Sequence, residues 1–495
     1  MAQITIHTTP TSYRVRTTPS LHLPHTTLNL YRHISPFSEL KWDNQARRMV
    51  VKRRYVYRDE DTGMLFMPRY DLPRFTALLE KQDISYVTRE VPLCHGKAVD
   101  IPIQSWYKPR DKTQEDALES ILHGVKQMRG LSLQPGTGKT ALSLVSSAMM
   151  GRRFLIKTPI LLKQWEKSIH KFLDLDPDDV YIVSGSASLA RLISEIDQTI
   201  FPKVILAATQ TLNLYANREP PYHIFPRMEE FLDILDVGIV ISDEVHMFFH
   251  MNLILDMLLN PSIMIPMSAT FEVTDKQIEP IFNGHFPPSI RFGEDRYERY
   301  VIVSSYTFDI PMNKIPKTQY RTFMGYNHTL YEKDLLKKRM VLDKIIDDVY
   351  YPILEMEYFQ YAIEGERLLI ICARKEMCTY LLKRIRKDYP DKKSAVFFGK
   401  TDESVKSEND IIIATVKSAG VGFDVENLIT TFVTVAADSP PLNKQMLGRL
   451  RKVKNRNPRL AYVSCRTIES HRNYTMTRRR IFPSLAKEFS QHHLG

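Results

Sequence analysis

The sequence is poor in cysteine, in long apolar runs and in repeated segments. Its four cysteines are scattered along 495 residues without a CxxC pair, which argues against a disulfide framework and against a zinc site. No apolar run approaches the ~18 residues of a membrane span. The first residues, MAQITIHTTPTSY, also lack the apolar stretch of a signal peptide. We therefore expect a protein of the reducing cytoplasm with no membrane association.

Charge is plentiful but unevenly placed. The chain carries a formal net charge of +11, with 43% hydrophobic and 25% charged residues, as in ordinary globular proteins. Residues 1–58 contain ten lysines and arginines against two acids, and the stretch from Arg449 to Arg480 is also basic. Cationic ends around a more balanced middle favour a polyanionic partner.

Residues 1–102 are interpreted as a small basic α+β domain. The segment 49–58 is rich in β-formers, 59–63 has turn composition and 64–67 resumes an extended pattern, so we predict a hairpin. The stretch DLPRFTALLEKQ predicts a helix with Asp71 as its N-cap. The positive charge, together with Trp42, Tyr55 and Tyr57, is consistent with a grip on DNA. A charged sheet face without a partner is the alternative.

From Thr113 onward, short apolar strands alternate with helical segments. Such runs are typical of parallel sheets covered on both faces, and they form two series. The predicted strands lie at 130–134, 153–158, 203–209, 237–242 and 262–268, and then at 367–373, 394–398, 410–415 and 430–436. We therefore predict two tandem α/β domains, 103–297 and 298–467, followed by a basic tail, 468–495. The charged stretch 331–358 is either a linker or an early helix of the second domain.

The segment QPGTGKT (134–140) has the composition of a phosphate-binding loop between a strand and a helix. Gly136 and Gly138, with Thr137 between them, would let backbone N–H groups face a phosphate at the start of the helix. Lys139 would reach the β- and γ-phosphates, and the Thr140 hydroxyl would ligate Mg²⁺. The strict pattern requires glycine at position 133, where this chain has leucine.

Two acids follow the apolar strand of 237–242. Asp243 is placed to hold Mg²⁺ through water, and Glu244 to polarise an attacking water molecule. An acidic pair at the end of a strand is weak evidence alone. About a hundred residues after a GKT loop, within the same predicted sheet, the pair indicates a site for hydrolysis of a nucleoside triphosphate.

These segments together resemble the superfamily 2 helicases and translocases of DExH type. GTGKT is similar to motif I, DEVH to motif II and SAT to motif III, while Gln114 resembles the adenine-reading glutamine of the Q motif. TPILLKQWEK (158–167) resembles motif Ia and AATQTL (207–212) motif Ic. CARKEM (372–377), ATVKSAGVGFDVENL (414–428) and QMLGRLRK (445–452) resemble motifs IV, V and VI. The resemblance covers residues 105–465 in the order of the family.

The resemblance implies two RecA-like domains, ATP and Mg²⁺ as cofactors, and a role for each matching residue. Catalysis would use Lys139, Asp243 and Glu244 with Gln445, Arg449 and Arg451. Motif VI commonly ends in a second arginine where this chain has Lys452, and we favour Arg451 over Lys452 as the completing cation. The remaining implied residues contact ATP (Gly422, Asp424), couple the motifs (His246, Ser268, Ala269, Thr270) or contact nucleic acid (Thr209, Gln210, Thr211, Arg374, Thr415, Ser418).

The leading hypothesis is an ATP-dependent DNA helicase or branch-migration motor, because the layout also resembles phage recombination helicases of the UvsW type. It would act without sequence preference on single-stranded, forked or branched DNA in replication, recombination and repair. We expect a monomer that meets recombination or replication proteins, in the bacterial host cytoplasm if it is phage-encoded. Alternatives are a double-strand DNA translocase, a transcript-release or RNA-unwinding motor, or a nucleic-acid-binding protein with weak ATPase.

Overall fold

The computed structural model describes residues 4–16, 35–43, 48–59, 61–159, 162–269, 271–273, 275–294, 298–310, 320–322, 325–398, 401–402, 404–419, 423, 425–436, 440–453 and 455–494. The chain divides into two compact units, residues 1–296 and 297–495. Among the described residues, no helix has both the length and the apolar character needed to cross a membrane.

The first unit begins with a five-stranded sheet and a separate two-stranded ribbon. The sheet has the order β5-β6-β2-β1-β7, in which only β1 and β7 are parallel. The ribbon pairs β3 with β4 antiparallel. The elements are β1 (Ile4–Thr8), β2 (Ser12–Arg16), β3 (Ser38–Asp43), β4 (Arg48–Arg54), β5 (Tyr57–Asp59), β6 (Met64–Pro68), α1 (Leu72–Lys81) and β7 (Tyr86–Glu90).

A seven-stranded parallel sheet forms the rest of this unit, with the order β10-β11-β9-β12-β13-β8-β14. Its elements are α2 (Lys112–His123), β8 (Gly130–Ser132), α3 (Lys139–Met149), β9 (Phe154–Thr158), α4 (Leu162–Phe172), β10 (Val180–Val183), α5 (Ser186–Glu195), β11 (Val204–Ala208), α6 (Thr209–Ala216), α7 (Phe231–Leu235), β12 (Ile239–Ser242), α8 (Phe249–Leu258), β13 (Ile263–Ser268), α9 (Glu279–His285) and β14 (Arg291–Phe292). The strands β9 and β12 are buried along their whole length, because helices cover both faces.

The second unit contains another seven-stranded parallel sheet, with the order β19-β20-β18-β21-β22-β15-β23. Its elements are β15 (Ile302–Phe308), β16 (Arg321–Thr322), β17 (Gly325–Tyr326), α10 (His328–Lys337), α11 (Arg339–Ile345), α12 (Tyr351–Leu354), β18 (Arg367–Cys372), α13 (Lys375–Asp388), β19 (Ser394–Phe397), α14 (Val405–Glu408), β20 (Ile411–Thr415), β21 (Leu428–Val433), α15 (Pro440–Leu447), β22 (Arg459–Cys465), α16 (Glu469–Ile481) and β23 (Glu488–Leu494).

The two parallel sheets share one connectivity. Numbered by their order along the chain, the strands of each sheet lie side by side as 3-4-2-5-6-1-7. All nine strands predicted for the two series are confirmed, within one to three residues at their ends. The strands β10, β14, β15, β22 and β23 were not predicted. Polar residues interrupt the apolar pattern of β15 and β23, and β14 has only two residues.

The predicted N-terminal hairpin is confirmed only in part. β5 and β6 pair antiparallel, but the stretch 49–54 pairs with β3 in the separate ribbon. The buried ring of Tyr55 separates the two strands and stacks on Phe249, with ring centroids 5.8 Å apart. The predicted cap of α1 is wrong in its chemistry, because the Asp71 carboxylate accepts bonds from Tyr13 and Arg74 and none from the helix backbone.

Three segments are packed more closely into the two units than the predicted domain boundaries imply. The N-terminal sheet shares one hydrophobic core with helices α6, α8 and α9 of the first parallel sheet. The stretch 331–358 lies in the second unit, where α10, α11, α12 and two π-helical turns contribute to the core. Residues 468–495, predicted as a tail, contain α16 and the edge strand β23, which pairs with β15.

Candidate active site

The phosphate-loop segment connects β8 to α3, as its sequence predicts. Gly136 and Gly138 have φ angles of 83° and 97°, in the left-handed region that glycine alone occupies without strain. A Cβ atom at position 138 would also lie 2.6 Å from the Gln114 amide nitrogen. Leu133, which replaces the first glycine of the strict pattern, turns its side chain into the core and is 3% exposed. Because its side chain points into the core, leucine at this position puts no side chain on the side of the loop where a phosphate would bind.

Gln114, in the first turn of α2, and Arg110, just before this helix, hold the loop through hydrogen bonds. The Gln114 amide donates to the Thr137 carbonyl at 2.6 Å and accepts from the Arg110 backbone N–H at 2.9 Å. The Arg110 guanidinium donates to the Gly136 carbonyl at 2.9 Å. These bonds hold the carbonyl groups of Gly136 and Thr137 and so fix the path of the loop. Arg110 was missed in the sequence, although it lies only four residues before Gln114.

The Lys139 ammonium lies within the loop that it would serve. It donates to the Leu133 carbonyl at 2.7 Å and to the Gln134 carbonyl at 3.3 Å. Lysine at the first position of α3 thus places a mobile cation beside the helix N-terminus, where a phosphate group would be bound.

The acidic pair follows β12 in the same unit. Asp243 accepts from the Trp165 indole N–H at 2.8 Å and from the Thr158 hydroxyl at 3.4 Å. Its own backbone N–H donates to the Lys157 carbonyl at 3.0 Å. Glu244 has a φ angle of 47°, which turns the chain sharply after the strand. Trp165 was missed, because a tryptophan on the apolar face of a helix is indistinguishable by sequence from a core residue.

The acidity of Asp243 is perturbed. Burial and the negative charge of Glu244 raise the pKa of Asp243 to about 6, against the lowering effects of the Trp165 bond and the Lys139 charge. Such a carboxylate gains from a nearby divalent cation, and carboxylate and hydroxyl oxygens are the ligands that Mg²⁺ prefers. Asp243 and Thr140 therefore fit a magnesium ion. No group of three or more metal-ligating side chains occurs among the described residues, and Mg²⁺ bound with a nucleotide does not need one.

Motifs II and III are in direct contact. The His246 Nδ1 atom lies 2.8 Å from the Ser268 hydroxyl and 3.3 Å from a Glu244 carboxylate oxygen. Burial lowers the pKa of His246 to about 4, so that the imidazole is neutral near pH 7. Ala269 follows directly, whereas Thr270 lies outside the described residues. The contact links the acidic pair to the end of β13.

Motif VI of the second unit presents three cations in different settings. The Arg449 guanidinium donates to the Phe423 carbonyl at 2.6 Å. Lys452 is exposed and forms an ion pair with the exposed Glu298. Arg451 is partly buried, and its charge acts on the phenol of Tyr300. Gly422, Asp424 and the side chain of Gln445 lie outside the described part of the chain.

The residues predicted to contact nucleic acid differ in accessibility. Thr209 and Thr211 are buried at the start of α6, and only Gln210 between them is partly exposed. The Thr415 hydroxyl lies 2.8 Å from that of Ser418, so the two define one short turn after β20.

Arg374 is held by an acid that the sequence did not single out. The buried carboxylate of Glu332 accepts from the backbone N–H groups of Ala373 and Arg374 at 2.8 and 2.7 Å. The Arg374 side chain is 24% exposed and pairs with Glu376. Its backbone is therefore fixed while its charge stays near the surface.

Comparisons with known proteins agree with this geometry. Residues 107–273 match the family described as Type III restriction enzyme, res subunit, and this span contains the phosphate loop and the acidic pair. A transcript termination protein of fowlpox virus (strain NVSL) is 22% identical over 352 residues, which are 66% of this chain and 67% of that protein.

Solved structures of helicases also align with the chain. T4 UvsW is 13% identical with a TM-score of 0.35, covering 99% of both chains. Dbp5 of S. cerevisiae bound to RNA and ADP BeF3 is 12% identical with a TM-score of 0.48, over 79% of this chain and 91% of that one. The Pyrococcus furiosus Hef helicase domain is 15% identical with a TM-score of 0.42, over 74% and 97%.

The family match supports the resemblance to superfamily 2 helicases over residues 107–273, which are about a third of the chain. The predicted fold class is confirmed by the topology of the sheets: two parallel α/β sheets follow a small N-terminal sheet with its helix.

The raised pKa of Asp243 predicts an unusual stability profile. A carboxyl group whose pKa rises from 3.8 to about 6 on folding costs stability as the pH increases through that interval, and the cost is complete above it. Asp243→Asn removes the charge and keeps an acceptor for Trp165. Without nucleotide or Mg²⁺, we expect the variant to be more stable at pH 8 by on the order of 1–2 kcal/mol, with little difference at pH 4.

Thermal unfolding at both pH values measures this effect. Asp391→Asn, at an exposed turn, is the matched control and should not alter the profile. A lower melting temperature of Asp243→Asn at pH 8 would contradict the assignment.

Proposed function

We propose that this chain, whose residues 107–273 match the family described as Type III restriction enzyme, res subunit, is an ATP-dependent motor that unwinds or branch-migrates DNA. One observation carries the proposal: the first unit combines a braced phosphate loop, a lysine within it and a perturbed carboxylate at the next strand but one of the same sheet. This set of groups suits the hydrolysis of a nucleoside triphosphate better than simple binding.

Each group has a proposed task in that reaction. Thr140 and Asp243 hold Mg²⁺, which neutralises phosphate charge when it is bound with ATP. The loop N–H groups and Lys139 bind the phosphates, and Glu244 orients the attacking water. The contact between His246 and Ser268 links the acidic pair to β13, so that a change in the bound nucleotide is transmitted to the end of that strand.

The second unit supplies cations and a nucleic-acid surface in this proposal. Arg449 and Arg451 stabilise charge that develops on the transferred phosphoryl group. Thr415 ends β20, Ser418 lies three residues beyond it, and Arg374 follows the neighbouring strand β18; the carboxyl ends of both strands lie at one edge of the sheet. Contacts of this type read phosphates and carry no sequence information.

An ATPase panel tests the motor. We expect slow hydrolysis by the protein alone and stimulation by single-stranded, duplex, forked or four-way DNA, greatest with branched DNA. Lys139→Ala should reduce kcat by about 100-fold or more, because it removes a charge aimed at the phosphates. Lys392→Ala, on an exposed turn of the second unit, is the control. Stimulation by RNA alone would overturn the DNA assignment, and no stimulation by any nucleic acid would overturn the motor.

A second candidate is a motor that releases transcripts. It is favoured by the 22% identity over 352 residues with the transcript termination protein of fowlpox virus. In this case the chain would translocate on the DNA of a stalled elongation complex without separating long duplexes. Transcript release from such complexes, in the absence of strand separation on forked DNA, would support it against the leading proposal.

The three cations of motif VI should not be equivalent. Lys452 is exposed and paired with Glu298, whereas Arg449 and Arg451 are partly buried. We expect Arg449→Ala and Arg451→Ala each to lower kcat by about 100-fold or more, and Lys452→Ala by only a few-fold. Steady-state ATPase assays with saturating nucleic acid measure this difference. If Lys452→Ala were as damaging as Arg449→Ala while Arg451→Ala were mild, Lys452 would be the completing cation.

The ribbon of β3 and β4 is the proposed N-terminal contact with DNA. Arg48, Lys52, Arg53 and Arg54 are all exposed along β4. Leu40, Met49 and Val51 form an apolar strip on one face, since Leu40 lies opposite Val51, and each is at least 42% exposed. Cations beside apolar side chains on a two-stranded ribbon suit a phosphate backbone with bases within reach.

Substitutions on the ribbon test this contact better than deletion, because removing residues 1–102 would strip the core from α8 and α9. We expect Arg48→Ala with Arg54→Ala to weaken DNA binding and to lower the slope of log K against log salt by about 2. Lys387→Ala with Lys392→Ala removes the same charge from an exposed region of the second unit and is the control. Equal salt slopes for both double variants would refute the contact.

A further inference from the structure

Helix α8 begins immediately after the DEVH motif. The loop from Glu244 to Phe248 contains two non-glycine residues with left-handed backbones, at φ angles of 47° and 50°. Each such residue costs of order 1 kcal/mol and persists only where its surroundings enforce it. What enforces the loop therefore positions the catalytic acids.

The side chain of Asn252, in the first turn of α8, enforces this loop. Its amide donates to the Met247 carbonyl at 2.9 Å and to the Val245 carbonyl at 3.5 Å, and Asn252 is 1% exposed. Its amide oxygen in turn accepts from the Lys157 ammonium at 3.5 Å. Asn252 thus lies between the acidic loop and the strand β9.

A buried ion pair fixes α8 to that strand. Lys157 and Asp256 are 0% and 1% exposed and pair directly, while His285 on α9 contacts the other Asp256 oxygen at 3.0 Å. The Lys157 carbonyl accepts the backbone N–H of Asp243. A displacement of α8 along its axis would therefore act on both sides of the acidic pair.

The first turn of α8 also contacts the base of the ribbon, where β4 ends at Arg54. His250 Nε2 lies 3.0 Å from the Arg54 carbonyl, so this nitrogen donates. The Tyr55 ring stacks on Phe249 and meets the His250 ring edge-on at 5.5 Å. The Tyr55 backbone N–H also bonds to the Phe37 carbonyl at 2.7 Å, so the start of β3 is joined to the residue that packs on the first turn of α8.

We propose that α8 couples the ribbon to the ATPase acids, with His250 and Asn252 as positioning residues. A nucleic-acid contact on the ribbon shifts the first turn of α8 through His250, and Asn252 transfers the shift to the loop of Glu244. The inference rests on the proposed motor function, and it assigns the N-terminal ribbon a part in stimulation as well as in binding.

The first test separates stimulation from binding. We expect His250→Ala to leave basal kcat and the KM for ATP near wild type and to reduce the stimulation by DNA about fivefold or more. His250→Gln, whose amide can still donate to the Arg54 carbonyl, should recover most of the stimulation. His223→Ala, at an exposed histidine of the same unit, is the control. A merely structural role would lower every parameter and the melting temperature together.

A double-mutant cycle gives the second test. In the His250→Ala background, the additional loss of Arg48 and Arg54 should weaken binding as before but change the stimulation factor no further. Asn252→Ala should lower basal and stimulated kcat by the same factor at an unchanged KM for ATP. Full stimulation of His250→Ala, or additive effects on stimulation in the cycle, would overturn the coupling alone. A wild-type protein that no nucleic acid stimulates would overturn the proposed function and the coupling with it.

Discussion

The placement of one carboxylate, that of Asp243, constrains the rest of the first unit. It lies at the end of a fully buried strand, beside a second acid, where its charge is costly. The indole of Trp165, the hydroxyl of Thr158, the ammonium of Lys139 and the backbone N–H of Glu244 offset this cost. Trp165, Thr158 and Lys139 belong to α4, β9 and α3. These three elements must therefore pack around β12 for the site to form.

The same constraint explains why polar groups are buried beneath the acidic pair. Lys157, Asp256 and His285 would be expensive in an apolar core unless they were paired, and all three are. A network of this kind adds little net stability but allows few alternative arrangements. It fixes the direction of α8 with respect to β9 and thereby the path of the loop between them.

Much of this arrangement could be predicted from the sequence. Continuous apolar runs mark central strands, and glycine, lysine and acidic residues at their ends mark the phosphate and metal positions, because both signals are local. The residues that contact those groups in the fold lie far from them in the sequence. Trp165 lies 78 positions from Asp243, and Asn252 is one of three polar residues in a mostly apolar helix, so its sequence does not mark it out. The break between β4 and β5 at Tyr55 could not be predicted from the sequence either, because its cause is the packing of the Tyr55 ring on Phe249.

The common strand order of the two sheets allows their corresponding strand ends to be compared. In the second unit β15 occupies the place of β8, yet residues 309–319 after it contain no glycine. The end of β15 is instead tied by Asp309 to Arg466, and the Ile310 N–H bonds to the Thr467 hydroxyl. At β18, which occupies the place of β9, Glu332 takes the N–H groups of Ala373 and Arg374. Asp309 and Glu332 thus place acidic groups, rather than a glycine-rich loop, at the strand ends of the second unit that correspond to those of β8 and β9.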